Sequence, residues 1–346
     1  MPWANTAWWS MLLKPFPNET LHGRLCRSLS VSGYSVQKFT RSLGLESRSS
    51  FHPFLTQHLT DIADVNHENP RLLWLEQTLF PLWVWAMPRY AKELRQLNGP
   101  PARLQWFYQL TGNHSSQRMQ LHFCPACARE DAMHYGVPYW HCEHQIPGVS
   151  VCYRHRCQLL SRPVPSSPHI AVEYYPDQFY ESEQCDNIDV DFARYACVLF
   201  SNLVHQIENP IIDADIHLPK RIQLSKAENS RRIKLDTALN NLVKCIWDSD
   251  TEPAVVEKLR LLHYIYDRSD NIPPSRKLFL KFCLQRYFAI SDKVNLAIKD
   301  ESQYYEERHL YDNRISTAEI KSLMQKTWLH SSLDQNKPKR KPSTGE

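Results

Sequence analysis

Glycine is scarce in this 346-residue chain: eight residues, about 2% against a usual ~7%. They stand at 23, 33, 44, 99, 112, 136, 148 and 345, so residues 149–344 contain none. No G-x-G and no G-x-x-x-x-G-K string occurs. This excludes a Walker-A phosphate loop and a standard dinucleotide fingerprint, which need glycine for close backbone approach to phosphate. Asp-Gly is absent, and the one Asn-Gly, Asn98-Gly99, runs into Pro100-Pro101, where a strand cannot resume. A hairpin-rich all-β chain is therefore disfavoured. Also missing is any run of about 18 apolar residues, so neither a membrane-spanning helix nor a membrane partner is expected. The opening Met1–Trp9 lacks a basic n-region and a long apolar h-region and does not read as a signal peptide. A cytoplasmic location is the expectation. No internal repeat or long low-complexity tract is found.

What is present begins with 23 prolines, which punctuate helices, and a nearly balanced charge of +4. Residues 1–162 carry 16 basic and 10 acidic side chains, residues 163–219 carry 1 and 10, and residues 220–346 carry 24 and 17. Two mildly basic regions flank an acidic one. The basic regions suit phosphate backbone or ordinary solvated helix faces; the acidic one suits repulsion of nucleic acid or docking of a basic partner.

The first hundred residues read as helices. Asn18 stands as a possible N-cap before Leu21, Leu25, Cys26 and Leu29 at helical spacing. Ser32-Gly33-Tyr34 is a turn, and Ser35 caps a short helix from Val36 to Leu43 that Gly44 ends. Helix, glycine turn and short helix make a helix-turn-helix-like unit. Residues 53–66 and 69–80 suggest two further helices. Phe80–Pro88 is a dense apolar-aromatic knot between two prolines, read as core or docking surface.

Ten cysteines in a cytoplasmic chain are reduced thiols or metal ligands, not a disulfide framework. Residues 122–157 hold ten of the chain's Cys and His: His122, Cys124, Cys127, His134, His141, Cys142, His144, Cys152, His155 and Cys157. Cys124-x2-Cys127 and Cys152-x2-His155 are two knuckle-spaced pairs. Together they offer the four ligands of one closed, structural Zn2+ site. Binding of the ion adds on the order of 10 kcal/mol to folding of a segment with little core. Cys157 is the main rival to His155, and Cys142, His141, His144 and His122 are spare donors. His141 and His144 read better as hydrogen-bonded neighbours of the site, and Trp140 as packing beside it. A catalytic zinc is the weaker alternative. Deaminases combine H-x-E with P-C-x-x-C; here His141-Cys142-Glu143 follows Cys124-Pro-Ala-Cys127 instead of preceding it, and Phe123 replaces the proline. There is no H-E-x-x-H, and four protein ligands leave no position for water. No catalytic residue and no enzyme activity is expected; a zinc hydrolase or deaminase is the remote alternative.

Three stretches resemble the TniQ/TnsD family of transposon target-selection proteins. They are Pro15-Phe-Pro-Asn-Glu-Thr-Leu-His-Gly-Arg-Leu25, Gln77-Thr-Leu-Phe-Pro-Leu82, and the string Phe123-Cys124-Pro125-x-Cys127, Tyr135-Gly136, Tyr139-Trp140-His141, His144-Gln-Ile-Pro-Gly-Val149, Cys152 and His155. The likeness covers roughly residues 15–160. It implies that Cys124, Cys127, Cys152 and His155 are the zinc ligands. Several members carry a second Cys-rich knuckle; residues 161–184 here contain no cysteine, and Cys185 and Cys197 are not at knuckle spacing, so one zinc is expected. The resemblance also implies a bacterial, non-catalytic adaptor that associates with the nucleoid when engaged. It would mark a target site, either a DNA sequence or an RNA-guided CRISPR complex on DNA, and recruit an AAA+ regulator that brings the transposase. A zinc-stabilised DNA-binding transcription regulator is the alternative.

Beyond residue 160 the pattern shows helices. Apolar faces recur over 236–248, 253–266, 275–289 (Leu278, Phe279, Phe282, Leu284, Phe288) and 317–328 (Ile320, Leu323, Met324, Trp328), the last capped by Thr317. Basic clusters at Arg231, Arg232 and Lys234 and at Lys337, Lys339, Arg340 and Lys341 are candidate contacts to nucleic acid or a partner. The expected fold is mainly α: an N-terminal helix-turn-helix-like subdomain (1–115), a zinc-binding module (116–162), an acidic linker (163–219), a C-terminal helical domain (220–332) and a basic disordered tail (333–346).

Overall fold

The computed structural model describes residues 11–47, 49–98, 119–208, 273–288 and 317–326. The protein is mainly helical and divides into two units, one of residues 1–108 and 118–219, the other of 109–117 and 220–346.

The first unit opens on α1 (Leu21–Ser32). Its N-cap is Thr20, whose hydroxyl accepts from the Gly23 amide at 3.0 Å. Asn18, the cap expected from the sequence, lies two residues too early. It adopts a left-handed turn (φ 58°), a conformation an Asn tolerates, and its carbonyl accepts from the Cys142 amide. Gly33 ends α1 at φ 66°, and Ser35 caps α2 (Val36–Ser42) by accepting from Lys38. α3 (Leu59–Asn66) starts later than the apolar pattern predicted, after a left-handed His58. α4 (Pro70–Glu76) is capped by Asn69. The aromatic knot is itself a helix, α5 (Phe80–Ala86), with Pro81 in the first turn where its missing N–H costs nothing. Its Phe80, Leu82, Trp83 and Val84 are buried. A 3-10 turn (Pro88–Tyr90) and α6 (Ala91–Leu94) complete this layer.

α1 is buried on more than its apolar face. Arg24 donates from Nε to the Leu13 carbonyl at 2.6 Å, pairs with the Glu68 carboxylate and reaches Gln77 Oε1 at 3.3 Å. Arg27 grips Glu19 through two bonds of 3.0 and 2.8 Å, donates to the Lys14 carbonyl and lies over the Phe16 ring. Each buried guanidinium thus has a carboxylate and a carbonyl, the condition under which a buried charge is tolerated. His22 donates to the His169 carbonyl at 2.6 Å, and burial holds its pKa down at about 4.

The acidic stretch expected as a linker carries α8 (Asn187–Glu208), a 22-residue helix that packs on α4 and α5 in the same unit. Ile188, Val190, Phe192, Ala193, Ala196, Cys197, Phe200 and Leu203 are buried along it. Of the acidic residues here only Asp189, Asp191 and Glu208 fall on the helix, and the apolar stripe determines where it lies.

In the second unit, α9 (Pro274–Phe288) and α10 (Thr317–Met324) pack together, and Leu278, Phe279, Phe282 and Cys283 of the first and Ile320, Leu323 and Met324 of the second are buried. Thr317 is the first helical residue rather than the cap. The expected helices at 236–248 and 253–266 and the tail lie outside the described residues.

Gly23 sits where α1 meets Trp140. A Cβ there would lie 3.0 Å from Thr20 Oγ1 and 3.2 Å from Trp140 Cβ. Gly→Ala inside a helix normally stabilises by about 1 kcal/mol. Gly23→Ala is expected to lose that gain or to destabilise, read as midpoint in a chemical denaturation series. A midpoint raised by the full helix-propensity increment would show that Trp140 does not seat against α1.

Candidate metal centre

The centre is assembled from two short antiparallel pairings and one helix. β1 (Gln120–Phe123) pairs with β4 (Leu160–Pro163), Phe123 opposite Leu160. β2 (Val151–Cys152) pairs with β3 (Cys157–Gln158), Cys152 opposite Cys157. Between them α7 (Pro125–Tyr135) leaves β1 with Cys124 as its N-cap, so Cys124 and Cys127 flank the first turn of a helix. The Cys127 amide donates to Cys124 Sγ at 3.5 Å, and a helix N-terminus favours a thiolate at that place. Cys152 and His155 border the tight β2–β3 turn, closed by the Arg156 amide on the Cys152 carbonyl at 2.8 Å. The x2 spacing therefore works twice by different means, once across a helical turn and once across a hairpin.

The ligand atoms of Cys124, Cys127, Cys152 and His155 all lie within 4.8 Å of one another. Cys127 and Cys152 sulfurs are 3.7 Å apart, and His155 Nδ1 stands 3.5, 3.3 and 3.6 Å from the sulfurs of Cys124, Cys127 and Cys152. Metal–sulfur bonds of ~2.3 Å and a metal–nitrogen bond of ~2.0 Å at tetrahedral angles require edges of about 3.8 Å and about 3.5 Å. The donors thus fit a single tetrahedral ion in both chemistry and spacing.

The surroundings serve the donors. With Nδ1 toward the sulfurs, His155 pairs with Glu130 Oε1 through Nε2 at 2.9 Å. A carboxylate there fixes the ring and raises its basicity as a ligand. Burial opposes protonation of His155, yet the Glu130 hydrogen bond and the neighbouring thiols outweigh it and push its pKa up to about 9. His144 Nε2 lies 3.8 Å from Cys127 Sγ; burial holds this imidazole neutral with its pKa lowered to about 4, so a proton on Nε2 can be donated to sulfur. Hydrogen bonds from the Cys127 and Cys152 thiols pull Cys124 strongly toward the thiolate, while its bond with Cys124 pushes Cys127 up.

The remaining sequence candidates separate clearly. Cys157 lies 3.5 Å from Cys124 Sγ but outside the mutually close set of four. His141 pairs with Asp131 at 2.8 Å and stacks on Tyr139, and Glu143 pairs with Arg154, so both outer residues of the H-x-E string are engaged away from the donors. Cys142 points to the Glu76 carbonyl, and His122 is not among the donors. Trp140 packs against Tyr174 and Phe123 and donates to the Tyr174 carbonyl. Glu130 and Asp131 carry no distinguishing sequence signal: the exposed Glu130 gains its role only when the turn bearing His155 is placed, and the buried Asp131 only when His141 is. Arg231, Arg232, Lys234, Lys337, Lys339, Arg340 and Lys341 lie outside the described residues. No helix of the described residues is long and apolar enough to cross a membrane.

Cys124→Ser and Cys152→Ser are each expected to lose bound metal and to unfold at lower denaturant, with metal analysis of the purified full chain as the check. One metal ion per chain retained in both variants would refute the assignment. Glu130→Gln is expected to keep the fold and weaken metal binding by roughly 10–100-fold in competition with a chelator. Unchanged affinity would remove Glu130 from the centre.

No curated protein matches the chain. The family model TniQ matches residues 11–159, from the segment before α1 to the end of the β2–β3 hairpin. The matched span holds α1 to α7 and all four donors, and residues 11–159 form a TniQ-family region.

Proposed function

We propose that the chain is the target-selection subunit of a heteromeric bacterial DNA transposon. It marks the insertion site and recruits an AAA+ regulator, through which the transposase arrives. It performs no chemistry of its own. One structural Zn2+ is held by Cys124, Cys127, Cys152 and His155. The observation that carries the reading is the TniQ match over residues 11–159, centred on four donors that fill a tetrahedron. Zinc suits three thiols and an imidazole, and a closed set supplies cohesion rather than a reactive water. The paired His141 and Glu143 weigh against the deaminase alternative, since neither is presented to the donors.

Of the two ways to mark a site, docking on an RNA-guided CRISPR complex is favoured over direct reading of a duplex. The TniQ-bearing unit includes the acidic residues 163–219, with ten carboxylates against one arginine, and that charge opposes a phosphate backbone. Contacts to phosphate then fall to the basic clusters of residues 220–346, with Arg231, Arg232, Lys234, Lys337, Lys339, Arg340 and Lys341 as candidates.

The decisive experiment measures duplex binding by the full chain alone and, in parallel, co-purification with the AAA+ protein and the guide complex encoded beside it. Weak, sequence-independent, salt-sensitive duplex binding with stable capture by both partners is expected. Nanomolar, sequence-dependent duplex binding without the guide complex would assign direct site recognition. Operator binding with no ATPase association would favour the transcription-regulator alternative.

A further inference from the structure

Five donors stand at a centre that needs four. Cys157 on β3 faces Cys152 across the hairpin and brings its sulfur to 3.5 Å from Cys124 Sγ. It is not one of the four donors that all lie within 4.8 Å of one another. It is also the most exposed cysteine of the cluster, at 8% against 1–2% for Cys124, Cys127 and Cys152. The neighbouring His155 side chain is 21% exposed, so solvent reaches the hairpin side of the centre. Of the other nearby thiols, Cys142 is buried and turned to the Glu76 carbonyl, and Cys185 lies half-buried beside β3, next to Gln184, the bridge partner of Cys157.

From this arrangement we propose that Cys124 and Cys157 form an oxidative modification site, which peroxide closes into a disulfide with release of the metal. A metal-bound thiolate remains nucleophilic. The Cys124 thiolate takes one oxygen from hydrogen peroxide and becomes a sulfenic acid, and hydroxide leaves. The Cys157 thiol then attacks that sulfur; the S–O bond breaks, the S–S bond forms and water departs with the thiol proton. One thiolate, one thiol and one peroxide become one disulfide, one hydroxide and one water. The two sulfurs together lose two electrons, which the peroxide accepts. Loss of Cys124 leaves the metal three ligands.

Cys157 suits the resolving role because its sulfur is not committed to the ion. Cys127 and Cys152, at 3.7 Å, are both ligands, and joining them would remove two metal bonds in one step. The new bond would join residues 33 apart in sequence, so α7 and the hairpin stay tethered when the ion leaves.

Metal release rests on the zinc reading above; disulfide formation does not. The test uses the full chain, with metal content measured first. Hydrogen peroxide is added, free thiols are blocked, disulfides are mapped by peptide mass spectrometry, and released metal is followed with a chromophoric chelator. The expected result is a Cys124–Cys157 disulfide with one metal ion released per bond formed. Cys157→Ser should retain its metal before oxidation, form no disulfide to Cys124 and release metal several-fold more slowly. A Cys127–Cys152 bond in the wild type, no disulfide, equal release from Cys157→Ser, or loss of metal from that variant before oxidation would each overturn the proposal. A wild-type chain that carries no metal at the outset refutes the zinc reading alone, and the disulfide map still decides this one.

Discussion

The seam between residues 18–20 and 140–142 holds the helical layer and the metal centre together as one body. The Thr20 amide donates to the Trp140 carbonyl and the Cys142 amide to the Asn18 carbonyl, both at 2.8 Å, around the Glu19–His141 bridge. Every nearby choice follows from that pairing. Asn18 turns left-handed so that its carbonyl faces Cys142. Thr20 then becomes the cap of α1, and a Cβ at residue 23 would press on the Thr20 hydroxyl and the Trp140 side chain. Glu19 is pinned in the seam and binds Arg27, which fixes the roll of α1. Tyr139 reinforces the joint by donating to the Pro17 carbonyl, and Phe16 packs on Tyr135 and Tyr139.

Immediately around the donors the chain has little apolar substance. Two strands of the centre are two residues long, and around the donors the packing is four cysteines with Ala126 and Leu159. Burial of so few groups cannot offset the entropy of ordering a loop-rich segment. Coordination of an ion would supply what the core lacks. Because the donors come from a helix start and a hairpin turn, one ion would tie α7 to β2 and β3, and the seam would pass that order to α1.

This division explains what could be read from the sequence. Ligand pairs at x2 spacing are legible because each pair satisfies its geometry locally, whether in a helix or a hairpin. The capping Ser35 and the turn at Gly33 are legible for the same reason. Non-local causes were not. Asn18 has the chemistry of a cap, and only the partner strand at 140–142 moves the cap to Thr20. Glu130 becomes a partner of His155 only when a hairpin 25 residues away folds over α7. The aromatic knot at 80–86 is apolar on nearly every side, so its period carries no sign of the helix that it forms.

The acidic stretch teaches the converse. Its charge dominates a composition count, yet Ile188, Val190, Phe192, Ala196, Phe200 and Leu203 form a stripe that seats α8 on the TniQ-bearing unit. The acidic stretch belongs to the same unit as most of the mildly basic residues 1–162. Opposite charges on one body within a few Debye lengths cancel the long-range field that steers a protein to DNA. The helix-turn-helix-like pair α1–α2 does not restore it, because Arg24 and Arg27 of α1 are buried and paired with Glu68 and Glu19 and α2 is seven residues long. On the proposed reading, nucleic acid would be met through residues 220–346 or through a partner already bound there, which is the physical case for proposing an adaptor.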